Sequence, residues 1–308
     1  MQKVSVIIPG YNMAEFSVKA VESVLNQTYK NIELIFVDDG STDNTREKIA
    51  PYTGRLRYIS KANGGACSAR NLGIRESTGE IIAMLDCDDM YLPQKIEECV
   101  NFLQEHPDHG LVHTDAYVVD EHDHVIGMDR HRERNCSGWI TDKLNMTNFI
   151  CNPTVVFRKK CLEKTGGYDE TLFPPADWDL WLRISEHYEI GYISSPLSQY
   201  RMIANSCFQR LEQVRRENKI VLDRFFQRNP NMSVWIKHQA YARHHLSMAQ
   251  CYFLKGDHER LKEEFSLSLK EHPFNPRAGV LFLGFFLARD FLRSHLNRKI
   301  LRTAGQLS

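Results

Sequence analysis

The stretch Val4-Ser-Val-Ile-Ile8, running into Pro9-Gly10-Tyr11-Asn12, decides the fold. Its apolar and β-branched residues follow one another with little alternation, the pattern of a strand covered on both faces. Three similar runs follow, Ile32 to Val37, Leu56 to Ser60 and Ile81 to Leu85, at a spacing of roughly 25 residues that leaves room for a helix between each pair. The intervening stretches carry helical periodicity; Phe16, Ala20, Val21, Val24 and Leu25, for example, fall on one helical face. Strands alternating with helices predict an α/β domain, a Rossmann-like and mostly parallel sheet flanked by helices. A further helix is expected from Pro93, because proline suits a first turn, and Leu111 to Val119 reads as another strand.

With 308 residues the chain is long enough for two domains, or for one large domain and an appendage. Lys+Arg and Asp+Glu both number 39, so no global field draws it to nucleic acid, and a charged ligand has to be held locally. The cysteines at 67, 87, 99, 136, 151, 161, 207 and 251 form no CxxC pair. They exclude a zinc ribbon or a thioredoxin-type motif and read as the reduced thiols of a cytoplasmic protein. The apolar run at the N-terminus is too short for a signal-peptide core or a membrane span.

Residues 120 to 150 are polar and rich in His, Arg and Asn, and read as a long excursion. From about Gln209 strand signals vanish and a separate helical region is expected, with apolar periodicity through Val234 to Leu254 and Leu261 to Leu269. Its stretch Ala249 to His258, followed by Phe265, Leu269 and Pro273, resembles a single tetratricopeptide-like helical hairpin. The final apolar run Gly279 to Ala288, followed by Arg289, Arg293, Arg298, Lys299 and Arg302, is too short to span a bilayer. It reads either as a helix packed on the hairpin or as a peripheral membrane contact on the inner face of the cell membrane.

In open parallel sheets ligands bind beyond the carboxyl ends of the strands. Those ends carry Pro9-Gly-Tyr-Asn12, Asp38-Asp-Gly-Ser-Thr-Asp43, Asn63-Gly-Gly65 and Asp86-Cys-Asp-Asp89, which places six carboxylates at one edge. Clustered like charges need a cation or a donor-rich ligand to remain ionised. The hard oxygens of Asp86 and Asp88 suit Mg²⁺ or Mn²⁺ bridging to a diphosphate. The plainer reading of such ends is turns and N-caps, as Asp43 or Asn44 could provide for the helix that follows. His122 and His124 sit in an acidic turn, and His106, His109 and His113 lack a ligand frame for zinc.

Taken in order, Val4 to Asn12, Val37-Asp-Asp-Gly-Ser-Thr-Asp43, Asn63-Gly-Gly65, Ala69-Arg-Asn-Leu-Gly73, Thr78-Gly-Glu80 and Leu85-Asp-Cys-Asp-Asp89 resemble glycosyltransferase family 2, the inverting enzymes of GT-A fold. The resemblance implies that Pro9, Tyr11 and Glu15 line the nucleotide pocket, that Asp38 and Asp39 meet the base, and that Asn63 and Arg70 lie near it. It implies further that Asp86 contacts ribose or metal and that Asp88 ligates the metal, Mn²⁺ or Mg²⁺. Asn152-Pro-Thr-Val-Val-Phe-Arg158, Gly166-Gly-Tyr-Asp-Glu170, Ala176-Asp-Trp-Asp-Leu-Trp-Leu-Arg183 and Tyr200-Arg201 resemble the acceptor-side elements, with Asp177 the catalytic base.

By this comparison residues 1–105 form the nucleotide-sugar half, 106–207 the acceptor half and 208–308 a helical C-terminal region. The implied partners are a nucleotide-sugar donor, UDP-linked as the commonest family case, and a glycan or lipid-linked acceptor. Asp177 also suits the first turn of a helix, where the dipole would lower its pKa and weaken it as a base. Two departures stand out. Ala176 replaces the glutamate that many relatives carry there, and Met202-Ile-Ala-Asn205 replaces a histidine that often follows the Tyr-Arg pair. A nicotinamide dehydrogenase lacks its glycine-rich turn, a P-loop its GxxxxGK[ST], and a calcium loop its sixth-position glycine. The rival from another class is a catalytically silent nucleotide-sugar-binding or scaffolding protein.

Overall fold

The computed structural model describes residues 1–129, 136–202 and 210–273. The four expected strands form: β1 (Val4–Gly10), β2 (Ile32–Asp38), β3 (Arg57–Ser60) and β4 (Ile81–Met84). They pair in parallel in the spatial order β3-β2-β1-β4. Every residue of β1 is buried because both of its faces are covered. Val4, Val6 and Ile8 enter one apolar cluster, with Val21 and Val24, while Ile7 enters the other, with Ile74 and Trp181. The helices on the two faces include α1 (Ala14–Leu25), the short α2 (Thr45–Ile49), α3 (Ala66–Glu76) and α4 (Lys95–Glu105). Ala20, Val21 and Val24 are buried on α1 as the periodicity requires. Close passage of α3 over the sheet depends on Gly73, where a Cβ would lie 2.4 Å from Ile7 Cγ2. Helix α4 starts two residues after Pro93, whose carbonyl instead accepts the Thr28 amide.

Beyond β4 the sheet becomes mixed. Strands β5 (Met90–Tyr91), β6 (His109–Val119), β7 (Val125–Asp129), β8 (Val156–Arg158) and β9 (Glu189–Arg201) extend the order to β3-β2-β1-β4-β8-β6-β9-β5, with β7 paired to β6. β8 runs antiparallel to β4, so the chain just before β8 lies at the carboxyl end of β4. That pairing sets Asn152 beside the Asp86 turn.

The reading of residues 120 to 150 as an excursion needs correction. They form a hairpin with β6 and then α5 (Thr141–Leu144), and Ile140, Leu144, Phe149 and Ile150 are buried in the main core. Their apolar side chains are too scattered among polar residues to show a period. Helices α6 (Cys161–Thr165) and α7 (Ala176–Ser185) follow β8.

The C-terminal helices are α8 (Leu211–Arg228), α9 (Val234–Lys255) and α10 (His258–Glu271). Val221, Leu222, Phe225 and Tyr241 join the same apolar cluster as Leu180 and Trp181, so α8 and α9 share core with the sheet. α9 and α10 form the expected hairpin. Gly256 closes α9 in the left-handed region at φ +83, where glycine meets no Cβ penalty, and the Asp257 side chain caps α10 by accepting from the Arg260 amide at 3.1 Å. Buried Glu264 ties the three helices through Arg215 and His245. No helix of the described residues is long and apolar enough to cross a membrane. The apolar and basic stretch from Gly279 lies outside the described residues.

Candidate functional site

The spatial order places β2 on one side of β1 and β4 on the other, so the chain reverses direction of travel across the sheet between β1 and β4. The crevice at such a switch is where α/β sheets bind ligands. Pro9 lies in β1 opposite Val37, and Gly10 lies opposite Asp38. Tyr11 follows, 47% exposed. Asn12 takes a positive φ of 51 and its side-chain oxygen accepts the Thr42 amide at 2.8 Å, which locks the turns after β1 and β2 together. Asp43 accepts from the Thr45 amide at 3.0 Å and from the Ala14 amide at 3.3 Å, the first residues of α2 and α1, while the cap residue of α2 is Asn44, whose side chain makes no cap bond.

The paired aspartates after β2 are tied down by their neighbours. Buried Asp38 accepts from the Ser41 amide at 2.9 Å and from the Tyr58 hydroxyl. Asp39 accepts the amides of Gly64 and Gly65 at 3.0 and 2.8 Å and the Lys61 ammonium at 2.6 Å, so it fixes the turn that carries exposed Asn63. Glu15 pairs with Lys48 at 2.9 Å with most of its side chain in solvent.

The tighter cluster surrounds Asp86. Buried Arg70, on α3, donates to its carboxylate at 2.6 Å, and the Asn152 amide nitrogen lies 3.1 Å from both carboxylate oxygens. The Tyr168 hydroxyl donates to Asn152 Oδ1 at 3.0 Å, while the Arg70 guanidinium sits 5.4 Å from the Tyr168 ring centroid. Arg70, Asn152 and Tyr168 thereby form a closed ring of contacts with the first acid of the turn. Asp89, at its other end, is buried and accepts the Arg201 amide at 2.7 Å. Arg201 also donates to the Asp88 carbonyl at 2.8 Å and lies over the Phe16 ring. Between them, the Asp88 carboxylate meets no side-chain donor among the described residues. Burial first, and then the neighbouring Asp86, push its carboxyl up to about 6.

Asp177 lies in the first turn of α7. Its carboxylate accepts from the Trp178 amide at 2.6 Å and from the Asn148 side chain at 3.3 Å. The expected lowering by the helix dipole is overturned: burial dominates and pushes the group up to about 6, although Arg70 pulls it down. Asp86 acts on Asp177 in the opposite sense to Arg70, and Arg70 and Asp86 also act on Asp88, so the three acids share one electrostatic neighbourhood. Asn148, Asn152 and Tyr168 belong to this site. Asn152 and Tyr168 stand in acceptor-side motifs that gave them no role, whereas Asn148 lies in no motif and only the fold of 136–150 brings it to Asp177.

No group of three or more His, Cys, Asp or Glu side chains able to hold a metal occurs among the described residues. The donor set nevertheless suits a cation shared with a ligand. Magnesium-type ions are commonly held by one or two carboxylates plus phosphate and water, and Asp88, with Asp86 beside it, offers that arrangement.

Turns at a sheet switch point, an acidic turn braced by arginine and a half-buried carboxylate in the same electrostatic neighbourhood mark a ligand site of an α/β sheet. The family model "Glycosyl transferase family 2" matches residues 5–164. The chain belongs to that family. An uncharacterised glycosyltransferase of Rickettsia bellii is 37% identical over 207 residues, which are 65% of this chain and 29% of that protein. The chain therefore spans less than a third of the length of this relative. Two solved structures share the fold. The mannosyltransferase PcManGT of Pyrobaculum calidifontis, in complex with GDP-Man and Mn²⁺, aligns with a TM-score of 0.65 at 16% identity over 99% of this chain and 87% of that one. S. aureus TarS 1-349 in complex with UDP-GlcNAc aligns at 0.64 and 17%, over 99% and 89%. The GT-A architecture expected from the sequence is thus present, with helices C-terminal to it.

Proposed function

We propose that this chain is an inverting glycosyltransferase that moves a sugar from a nucleotide-sugar donor to an acceptor hydroxyl, with Asp177 as base and a divalent cation held at Asp88 and Asp86. The observation that carries the reading is the placement of Asp177 in the first turn of α7, held by the Trp178 amide and the Asn148 side chain beside Arg70 and Asp86, where burial lifts its carboxyl to about 6. A base is most effective when its pKa approaches the working pH. The UDP-GlcNAc and GDP-Man complexes of the two structural neighbours support a nucleotide-linked donor without choosing the base.

In this reading the acceptor hydroxyl gives its proton to an Asp177 oxygen as its own oxygen bonds the anomeric carbon. The bond from that carbon to the diphosphate breaks on the opposite face, and its electron pair leaves with the nucleoside diphosphate. The Asn148 amide and the Trp178 amide fix the orientation of Asp177. Arg70 and Asn152 hold Asp86 in place. When bound, the cation neutralises charge growing on the leaving diphosphate.

The test is incubation with a panel of nucleotide sugars, Mn²⁺ and varied acceptors. Free nucleotide should be released, and EDTA or Asp88→Ala should reduce release by at least about a hundredfold, the scale of losing one electrostatic stabiliser of the transition state. Tight donor binding with no release from any pair would leave the protein a silent binder and end the proposal.

A further inference from the structure

Lys95 is a cationic side chain in an unfavourable place. It is fully buried, it stands at the first residue of α4, where the helix dipole disfavours a cation, and among the described residues it forms no ion pair. Burial holds its amine below the ordinary value, with Cys99 and Glu98 pulling the other way. Taking an ammonium out of water is among the costliest steps of folding unless an anion compensates it. What Lys95 meets instead is a backbone carbonyl and a hydroxyl. Its ammonium donates to the Thr154 carbonyl and, at 3.2 Å, to the Thr114 hydroxyl on β6, whose own hydrogen goes to the Asp115 carbonyl at 2.9 Å.

Thr154 ends the short turn Asn152–Thr154 that leads into β8. All four carbonyls from Cys151 to Thr154 have a donor. Two are served from within: the Thr154 hydroxyl meets the Cys151 carbonyl at 2.6 Å, and the Val155 amide meets that of Asn152 at 3.2 Å. Two are served from outside. The Ser198 hydroxyl on β9 reaches the Pro153 carbonyl at 2.8 Å, and Lys95 reaches that of Thr154. The side chain carried by this turn is Asn152, whose amide nitrogen lies 3.1 Å from both Asp86 oxygens while its own oxygen takes the Tyr168 hydroxyl. A backbone shift of about 1 Å would carry that amide out of hydrogen-bond range of Asp86.

We propose that Lys95, together with Ser198, is a positioning residue of the cation site: the two hold the 151–155 turn so that Asn152 restrains the Asp86 carboxylate. The inference rests on the reading of Asp86 and Asp88 as cation ligands. Lysine suits the task because one ammonium serves acceptors on two separate segments, the turn and β6. An aliphatic side chain of similar length would fill the same space and leave the Thr154 carbonyl unheld.

The test compares the full chain with Lys95→Met, Lys95→Gln and Ser198→Ala. Mn²⁺ binding is read by electron paramagnetic resonance, stability by urea unfolding, and the turn by amide hydrogen exchange without metal. Lys95→Met should keep or raise the urea midpoint, because the desolvation cost it removes offsets the orphaned carbonyl. It should nevertheless bind Mn²⁺ about tenfold more weakly, the low end of the roughly 10–100-fold range for groups that orient metal ligands. Lys95→Gln keeps a donor and should recover most of that affinity, while Ser198→Ala should weaken binding in the same direction as Lys95→Met. Parental Mn²⁺ affinity in Lys95→Met, whatever its midpoint, makes the bond an ordinary structural one and overturns the proposal. A Lys95→Gln protein no better than Lys95→Met overturns it too. If Lys95→Met does not fold, Ser198→Ala decides, and parental affinity there refutes the proposal. A parent that binds no Mn²⁺ would end the cation reading, and the hold of Lys95 on the turn is then decided by exchange. The Thr154 and Val155 amides should exchange faster in Lys95→Met than in the parent, and unchanged exchange refutes the role given to Lys95.

Discussion

Asp177→Asn should make the folded protein more stable at neutral pH while abolishing transfer. The reason lies in burial. The carboxyl stands at about 6 in the fold against 3.8 in an open chain, so folding favours its neutral form. Its contribution to stability is fully present below the unfolded value and is lost as pH rises through about 6. At about 1.4 kcal/mol for each tenfold difference, the gap between 3.8 and about 6 corresponds to roughly 3 kcal/mol. The carboxylate is partly open to the crevice, which reduces the expected effect to about 1–2 kcal/mol at pH 8. Asparagine keeps an oxygen for the Trp178 amide and carries no charge at any pH, so it removes this penalty without opening a cavity. Urea unfolding of the parent and of Asp177→Asn at pH 4, 6 and 8 is the assay. The curves should nearly coincide at pH 4, and the variant should lead increasingly at 6 and 8. A variant equal to or weaker than the parent at pH 8 would show that Asp177 is not held against its ionisation, and the argument for a tuned base would go with it.

The same group predicts an acid limb in kcat/KM. Activity should rise with pH through about 6 and then level, because the base works only when deprotonated. Asp177→Asn should leave at most a residue about 10²–10⁴-fold lower and without that limb, and survival of the limb would assign it to another group. Tyr168→Phe removes the hydroxyl that donates to Asn152 and should leave Asn152 free to turn away from Asp86. A loss of about 1–3 kcal/mol in stability is expected for the orphaned buried acceptor, with a fall in kcat and a weaker apparent affinity for Mn²⁺. Unchanged metal dependence would show that Asn152 holds its place without Tyr168.

The parallel half of the sheet was readable because each strand is covered on both faces and therefore carries an unbroken apolar run. Val4 to Ile8 and Ile81 to Leu85 cannot be mistaken for surface segments. The mixed half of the sheet was harder for the opposite reason. β6 was legible in Leu111 to Val119, but β9 pairs with it through register shifts near Thr114 and Asp115 and β7 is half exposed, so neither apolar runs nor clean alternation mark β7 and β9. The burial of Ile140, Leu144, Phe149 and Ile150 arises from packing against α7 and α8, which no local window can contain. Glu15 shows the reverse limit. Its position in the motif order placed it in the nucleotide pocket, whereas its side chain lies on the exposed face of α1 beside Lys48.

The acidic turn itself shows how much more a structure says than a motif. Asp86, Asp88 and Asp89 are equivalent in composition, yet the fold treats them differently. Asp86 is braced by Arg70 and Asn152. Asp89 is buried under the Arg201 backbone. The same Arg201 takes the Asp88 carbonyl and leaves the Asp88 carboxylate without a side-chain donor. Asp89 fares little better than Asp88, since it accepts a backbone amide alone and its buried Oδ2 meets no partner, so Arg70 compensates Asp86 while burial pushes the carboxyls of both Asp88 and Asp89 up. Carboxylates left without a positive partner oppose folding, and the cation proposed at Asp88 and Asp86 would supply the missing charge.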